Sequence, residues 1–208
     1  MYISWFGLSS FKIVSKNITI ITDPFGSETG LRPPKGNADI VLVSADHEAH
    51  NSVSSISGTP MIVDLPGEYD IKGVMVQGIA SEQASGDLNV IYVCTVEDVR
   101  VVFLGRFGQA DISKEQIEAL GQVDVLVLPV GGHDVLNAKQ ASNIIEKIEP
   151  TFVVPAYFKI PGVAYSLDGE QTFKKEMGYS TKPEDRLKVD AKMLETDAMQ
   201  VVPLNPQR

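Results

Sequence analysis

The chain has 208 residues, 43% of them hydrophobic, and a formal charge of −9 at pH 7. That length accommodates one domain over residues 1–208 with more than one sheet, and the acidic surplus excludes nucleic acid and an anionic membrane surface as general partners. A single cysteine, Cys94, excludes an intrachain disulfide; it lies in the apolar run Val90 to Val96 and reads as a small buried hydrophobe.

No basic start with an apolar core opens the chain, and no run of about eighteen apolar residues interrupts it, so the expected location is the cytoplasm. Tyr2 to Phe6, Ser10 to Val14 and Ile18 to Thr22 read as the three strands of a β-meander, punctuated by Gly7 and by Ser15-Lys16-Asn17. Gly26 to Asn37, rich in Gly, Pro and charge, reads as a surface loop. Ile40 to Val43 is a buried strand that ends in the polar cluster Ser44-Ala45-Asp46-His47-Glu48-Ala49-His50, which holds two of the three histidines.

Further strands are expected at Met61 to Asp64, Val74 to Ile79, Asn89 to Val96 and Arg100 to Leu104, the last leading into Gly105-Arg106-Phe107-Gly108. Ser113 with Gln116 forms a capping-box signature for a helix from Lys114 to Leu120, with Ile112 and Ile117 at the positions of a hydrophobic staple. A buried strand follows from Asp124 to Pro129. Asn137 caps a second helix with Ala141, Ile144, Ile145 and Ile148 on one face, and Glu149-Pro150 stops it. Phe152 to Ala156 is a strand. A third helix, capped by Asp168 and closed by Gly178, precedes strand-like Leu187 to Val189 and Met199 to Leu204.

Laid on the strand and polar loop at 40–50, the pattern resembles the His-x-His-x-Asp-His signature of the metallo-β-lactamase superfamily. The opening Ile3-Ser4-Trp5-Phe6-Gly7-Leu8 with Ile20-Ile21-Thr22-Asp23-Pro24, and the stretch Pro66-Gly67-Glu68-Tyr69, resemble its lactonase-like branch, which includes L-ascorbate-6-phosphate lactonase and many Zn-dependent hydrolases. The resemblance implies an αββα sandwich of two mixed sheets with helices outside. From periodicity alone, the chain is α/β or α+β.

The same resemblance places His47 on a first metal and His50 on a second, and Asp23 behind the ligand loop as a support; an Asp-Pro after a strand is equally a good turn starter. Elsewhere the ligand positions are filled by groups that cannot serve. Ala45 and Ala49 stand for a histidine and an aspartate, Leu8 for a nearby histidine, and the segment after Ile79 has none. Arg106 replaces the aspartate that bridges two cations, and Tyr157 the last histidine. Because zinc needs three or four converging N, O or S donors, the expectation is a degenerate site with no cofactor, a pseudoenzyme that retains a binding role.

Catalytic candidates remain Asp46, His47, His50 and Tyr157. In the alternative, a hydrolase of lactones or phosphoesters, His47 and His50 pinch one zinc or manganese ion with Asp46 or Glu48, or act as general base. For a small anionic ligand the candidates are Arg106 and the loop Gly131-Gly132-His133, whose amides can face an anion. His133 reads as a replacement ligand or acid/base, or as an exposed loop residue. Arg106 either stands in for the metal's charge, paired with Asp46, Glu48 or Asp23, or swings to solvent. Homo-oligomerisation is the other expected partnership.

Overall fold

The structure, a computed structural model, describes residues 1–195 and 198–207. In chain order the strands are β1 (Tyr2–Gly7), β2 (Ser10–Val14), β3 (Thr19–Thr22), β4 (Gly36–Asn37), β5 (Ile40–Leu42), β6 (Ile56–Ser57), β7 (Met61–Val63) and β8 (Gly67–Ile71). There follow β9 (Val74–Glu82), β10 (Leu88–Val96), β11 (Val99–Phe103), β12 (Val125–Pro129), β13 (Phe152–Ala156), β14 (Leu187–Lys188) and β15 (Gln200–Val201), with helices α1 (Lys114–Leu120), α2 (Ala138–Ile148) and α3 (Glu170–Met177).

Two mixed sheets form the body. The first has the order β14-β1-β2-β3-β5-β7 and the second β15-β13-β12-β11-β10-β9-β8. Their facing sides make the core, where Trp5 of β1 lies 6.2 Å from Phe11 of β2, and Phe11 lies 6.0 Å from Phe103 of β11. Tyr92 of β10 ties the sheets together, since its hydroxyl is in hydrogen-bond range of both Val43 O at 2.9 Å and Val63 O at 2.8 Å. Cys94 is fully buried, and burial pushes its thiol up to about 12.

α1 and α2 connect the parallel neighbours β11, β12 and β13, and α3 packs against α2, so all three helices go with the second sheet. The outer side of the first sheet carries a thinner layer. There Ile21, Val41 and Val43 bury against Ile56 of β6, which pairs with β4. The expected loop at 26–37 therefore ends in a short ladder.

The expected capping box at α1 is present, with Ser113 Oγ accepting from Gln116 N at 3.2 Å, and the expected cap Asn137 forms a second box, its Oδ1 accepting from Gln140 N at 3.0 Å. The cap of α3 is a correction. Asp168 does not cap it; Gly169 holds the N-cap position with no side-chain hydrogen bond. Asp168 is committed to a neighbouring segment instead, its N–H donating to Gly131 O and its carbonyl accepting from Lys159 N, both at 2.8 Å.

The topology concentrates chemistry at one edge. β3, β5 and β7 are parallel in one sheet and β11, β12 and β13 in the other. Asp23, Ser44, Arg106, Asp134 and Tyr157 all lie just beyond the carboxyl ends of these strands, where loops can converge without breaking a ladder.

Candidate functional site

Asp23 is the floor of the site. Only 2% exposed, it accepts Ser44 N at 2.7 Å through Oδ1 and Ser44 Oγ at 3.0 Å through Oδ2. The same Oδ2 lies 3.3 Å from His50 Nδ1, and Ser44 Oγ lies 3.2 Å from that nitrogen. A proton on Nδ1 satisfies Asp23, which leaves Nε2 as the lone-pair nitrogen. His50 is completely buried, and its Nε2 has no hydrogen-bond partner among the described residues.

The backbone around this floor is strained into the left-handed region at side-chain-bearing residues: Leu8 at φ 50°, Asp23 at 42° and Tyr157 at 50°. Leu8 O accepts from Tyr157 N at 3.1 Å, which joins two of the three strained positions. Gly105, at φ 64°, is required by contact as well as by conformation. A Cβ there would lie 2.3 Å from Ser44 Oγ, inside the support of His50.

His47 is half-buried, and its Nδ1 accepts from Ala49 N at 3.1 Å. Its ring lies 6.1 Å from that of His50, edge-on, and 6.0 Å from Tyr165. Burial, and next the nearby guanidinium of Arg106, hold the imidazole below the ordinary histidine range. Tyr165 closes over this loop by donating to Glu48 Oε1 at 2.7 Å.

Arg106 sits at the centre. Its backbone N–H donates to Asn89 Oδ1 at 2.8 Å, while Nη1 reaches Tyr157 OH at 3.4 Å and Nη2 reaches Asp134 Oδ2 at 3.5 Å. The expectation of an ion pair with Asp46, Glu48 or Asp23 is corrected. Those carboxylates are engaged elsewhere: Asp46 accepts Asn51 Nδ2 at 2.6 Å, Glu48 accepts Tyr165, and Asp23 holds Ser44 and His50. Its actual counter-ion, Asp134, has a 74% exposed side chain against 10% for Arg106, and Arg106 Nε is buried without a partner among the described residues. Tyr157 stacks on His50 with ring centroids 5.6 Å apart, and burial pushes its phenol up to about 12.

The glycine loop is occupied structurally. Gly132 N donates to Leu136 O at 2.9 Å, and a Cβ on Gly131 would meet Tyr157 O at 2.1 Å, so the pair brings two loops together. His133 is exposed at φ 57°. Asp134, Tyr165 and Asn89 were not singled out from the sequence. Asp134 adjoins His133 in the same loop, whereas Tyr165 reaches Glu48 across 117 residues and leaves no local pattern.

This donor set does not fit a zinc centre. Ala45 and Ala49 offer methyl groups, Tyr157 a phenol that burial keeps protonated, and Arg106 a cation. Of the four imidazole nitrogens, Ala49 N and the Asp23–Ser44 pair engage two, which leaves the two Nε2 atoms. Among the described residues no group of three or more His, Cys, Asp or Glu side chains is placed to hold a metal ion. Nor is any helix long and apolar enough to cross a membrane.

Comparison with known proteins agrees with this architecture. A UPF0173 metal-dependent hydrolase of Pyrococcus horikoshii is 25% identical over 209 residues, covering 82% of this chain and 92% of the relative. A UPF0173 protein of Pyrococcus furiosus is 24% identical over 200 residues, covering 85% and 90%. Among solved structures, a candidate Zn-dependent hydrolase of the metallo-β-lactamase superfamily from Thermotoga maritima superposes with a TM-score of 0.81 at 27% identity, covering 98% of this chain and 97% of that one. A family model described as the β-lactamase superfamily domain matches residues 2–157. With the family model matching three quarters of its length and the superposition covering nearly all of it, the chain belongs to the β-lactamase superfamily and has the metallo-β-lactamase fold.

Proposed function

We propose that this chain is a non-hydrolytic member of its superfamily, in which the guanidinium of Arg106 takes over the charge of the lost metal centre and binds a small anion, a carboxylate or a phosphorylated compound. The supporting observation is the mismatch around Arg106. A nearly buried cation is paired, at the limit of hydrogen-bond distance, with a largely solvated Asp134, and an incoming anion that lies closer replaces it with a stronger charge-assisted pair. Tyr157 OH is a neighbouring donor.

Thermal melting with added inorganic phosphate, for the parent and for Arg106→Ala, tests this reading. The parent gains stability with rising phosphate and Arg106→Ala does not. A parent that melts at one temperature across the titration refutes the anion role.

A second reading, a hydrolase using zinc or manganese at a reduced site of His47 and His50, draws on one observation. An imidazole held by a carboxylate at Nδ1 with a free Nε2 is the arrangement of a metal-bound histidine. Chelator-sensitive turnover of a lactone or phosphoester favours it over the binding role.

A further inference from the structure

Two buried side-chain atoms at the site have no hydrogen-bond partner among the described residues, and they are of opposite kind. Arg106 Nε–H is a donor without an acceptor, and His50 Nε2 is an acceptor without a donor. The role of Nε2 follows from the other nitrogen of the ring. Nδ1 lies 3.3 Å from Asp23 Oδ2, and a lone pair there would face a carboxylate, so the proton stays on Nδ1 and Nε2 keeps its lone pair.

Tyr157 links the two residues. Its ring stacks on His50 with centroids 5.6 Å apart, and its hydroxyl lies 3.4 Å from Arg106 Nη1. His50 is fully buried, and Arg106 and Tyr157 are 8% and 2% exposed. The three side chains thus present one largely desolvated surface, which donates and is positive at Arg106 and accepts at His50. Asp23 and Ser44 fix the His50 ring from behind, so the acceptor cannot turn into a donor without loss of that support.

We infer that the anion held by Arg106 carries an O–H group of its own, on the acid group or on the adjoining carbon, which donates to His50 Nε2 while the anionic oxygens accept from the guanidinium. This rests on the anion role of Arg106 and narrows it to a class. An anion with acceptors alone sets an oxygen lone pair against the Nε2 lone pair and leaves a buried polar atom unmet. A site shaped to take a hydroxyl in this way rejects the analogue that lacks it. Hydrogen phosphate and 2-hydroxycarboxylates have the required donor and acceptors together; sulfate and simple carboxylates have the acceptors only.

Isothermal titration at about pH 8, above the ordinary histidine range, tests this with anions matched except for the hydroxyl. Hydrogen phosphate and sulfate are then tetrahedral dianions of similar size, and only the first has an O–H; glycolate and acetate make the same comparison with the hydroxyl on carbon. Hydrogen phosphate binds about tenfold or more tightly than sulfate where the acid group supplies the hydrogen, and glycolate exceeds acetate by the same margin where the adjoining carbon does. His50→Phe keeps a ring against Tyr157, removes the acceptor and brings the ratio close to one. Should that variant misfold, the two ratios on the parent decide alone. Both ratios near one on a parent that binds these anions overturn the inference and leave the anion role of Arg106 standing, whereas a parent that binds none of the four overturns both.

Discussion

The floor and the mouth of the site are built to different standards. At the floor, Asp23, Ser44 and His50 are buried and joined by contacts of 2.7 to 3.3 Å. At the mouth, Arg106, Tyr157 and Asp134 meet only at 3.4 to 3.5 Å, and Arg106 Nε and the His50 Nε2 that faces away from the floor's contacts have no partner among the described residues. The groups that support the loop at 44–50 are thus tightly joined where the groups around Arg106 are not. The floor joins the loops that follow β3 and β5 of the first sheet through buried polar contacts, so its loss would cost the fold, whereas the contacts at the mouth are longer and more exposed.

Substitutions separate the two regions. The largest effect falls at the floor: Asp23→Ala removes the acceptor of two buried Ser44 donors and of His50, and lowers stability by about 3 kcal/mol or more. Thermal unfolding reads this as a fall on the order of 10 °C; a fall of only a degree or two shows that the floor does not hold the fold.

Tyr92→Phe is the next in size. It leaves Val43 O without its donor between the sheets and costs about 1 to 2 kcal/mol, measured by denaturant melting. Away from the site, Ser113→Ala removes one half of a capping box and costs about 1 kcal/mol. At the mouth, Arg106→Ala changes the melting temperature least of these in the absence of anion, because its contacts are long and its counter-ion is solvated.

The smallest effect is a pH dependence. The His47 imidazole is held below its ordinary value in the folded chain, so between that lowered pKa and about 6.5 the unfolded chain binds more protons. Stability is therefore level above about pH 6.5 with respect to this group and declines as pH falls below it. Arg106→Ala removes part of the cause, so the His47 resonances titrate at a higher pH than in the parent, followed by NMR. An unchanged midpoint shows that the guanidinium does not act on His47.

Much of this was legible from local pattern. The capping box at Ser113, the cap at Asn137, the strands of the meander and the strand leading into His47 carry short-range signals, and each stands where its sequence places it. Edge elements were harder to read. β8 alternates polar and apolar residues behind Pro66-Gly67 and is a strand only because β9 pairs with it; β9 itself runs on to Glu82, past the expected end at Ile79.

At the site, residue type was legible but partnership was not. Arg106 is identified by where it falls after β11, yet its partner depends on which carboxylates other groups have already claimed. The α3 cap failed for a related reason. Asp168 is a good capping residue locally, but its backbone joins Gly131 to Lys159, and the helix starts one residue later than that role allows.

The central claim is that the mouth cannot hold a divalent metal. Its most direct test is zinc titration, with metal analysis, of the parent beside a chain carrying Ala45→His, Ala49→Asp, Arg106→Asp and Tyr157→His. The account predicts no stoichiometric zinc on the parent and zinc bound tightly by the rebuilt chain. Stoichiometric, tightly held zinc on the parent would contradict it.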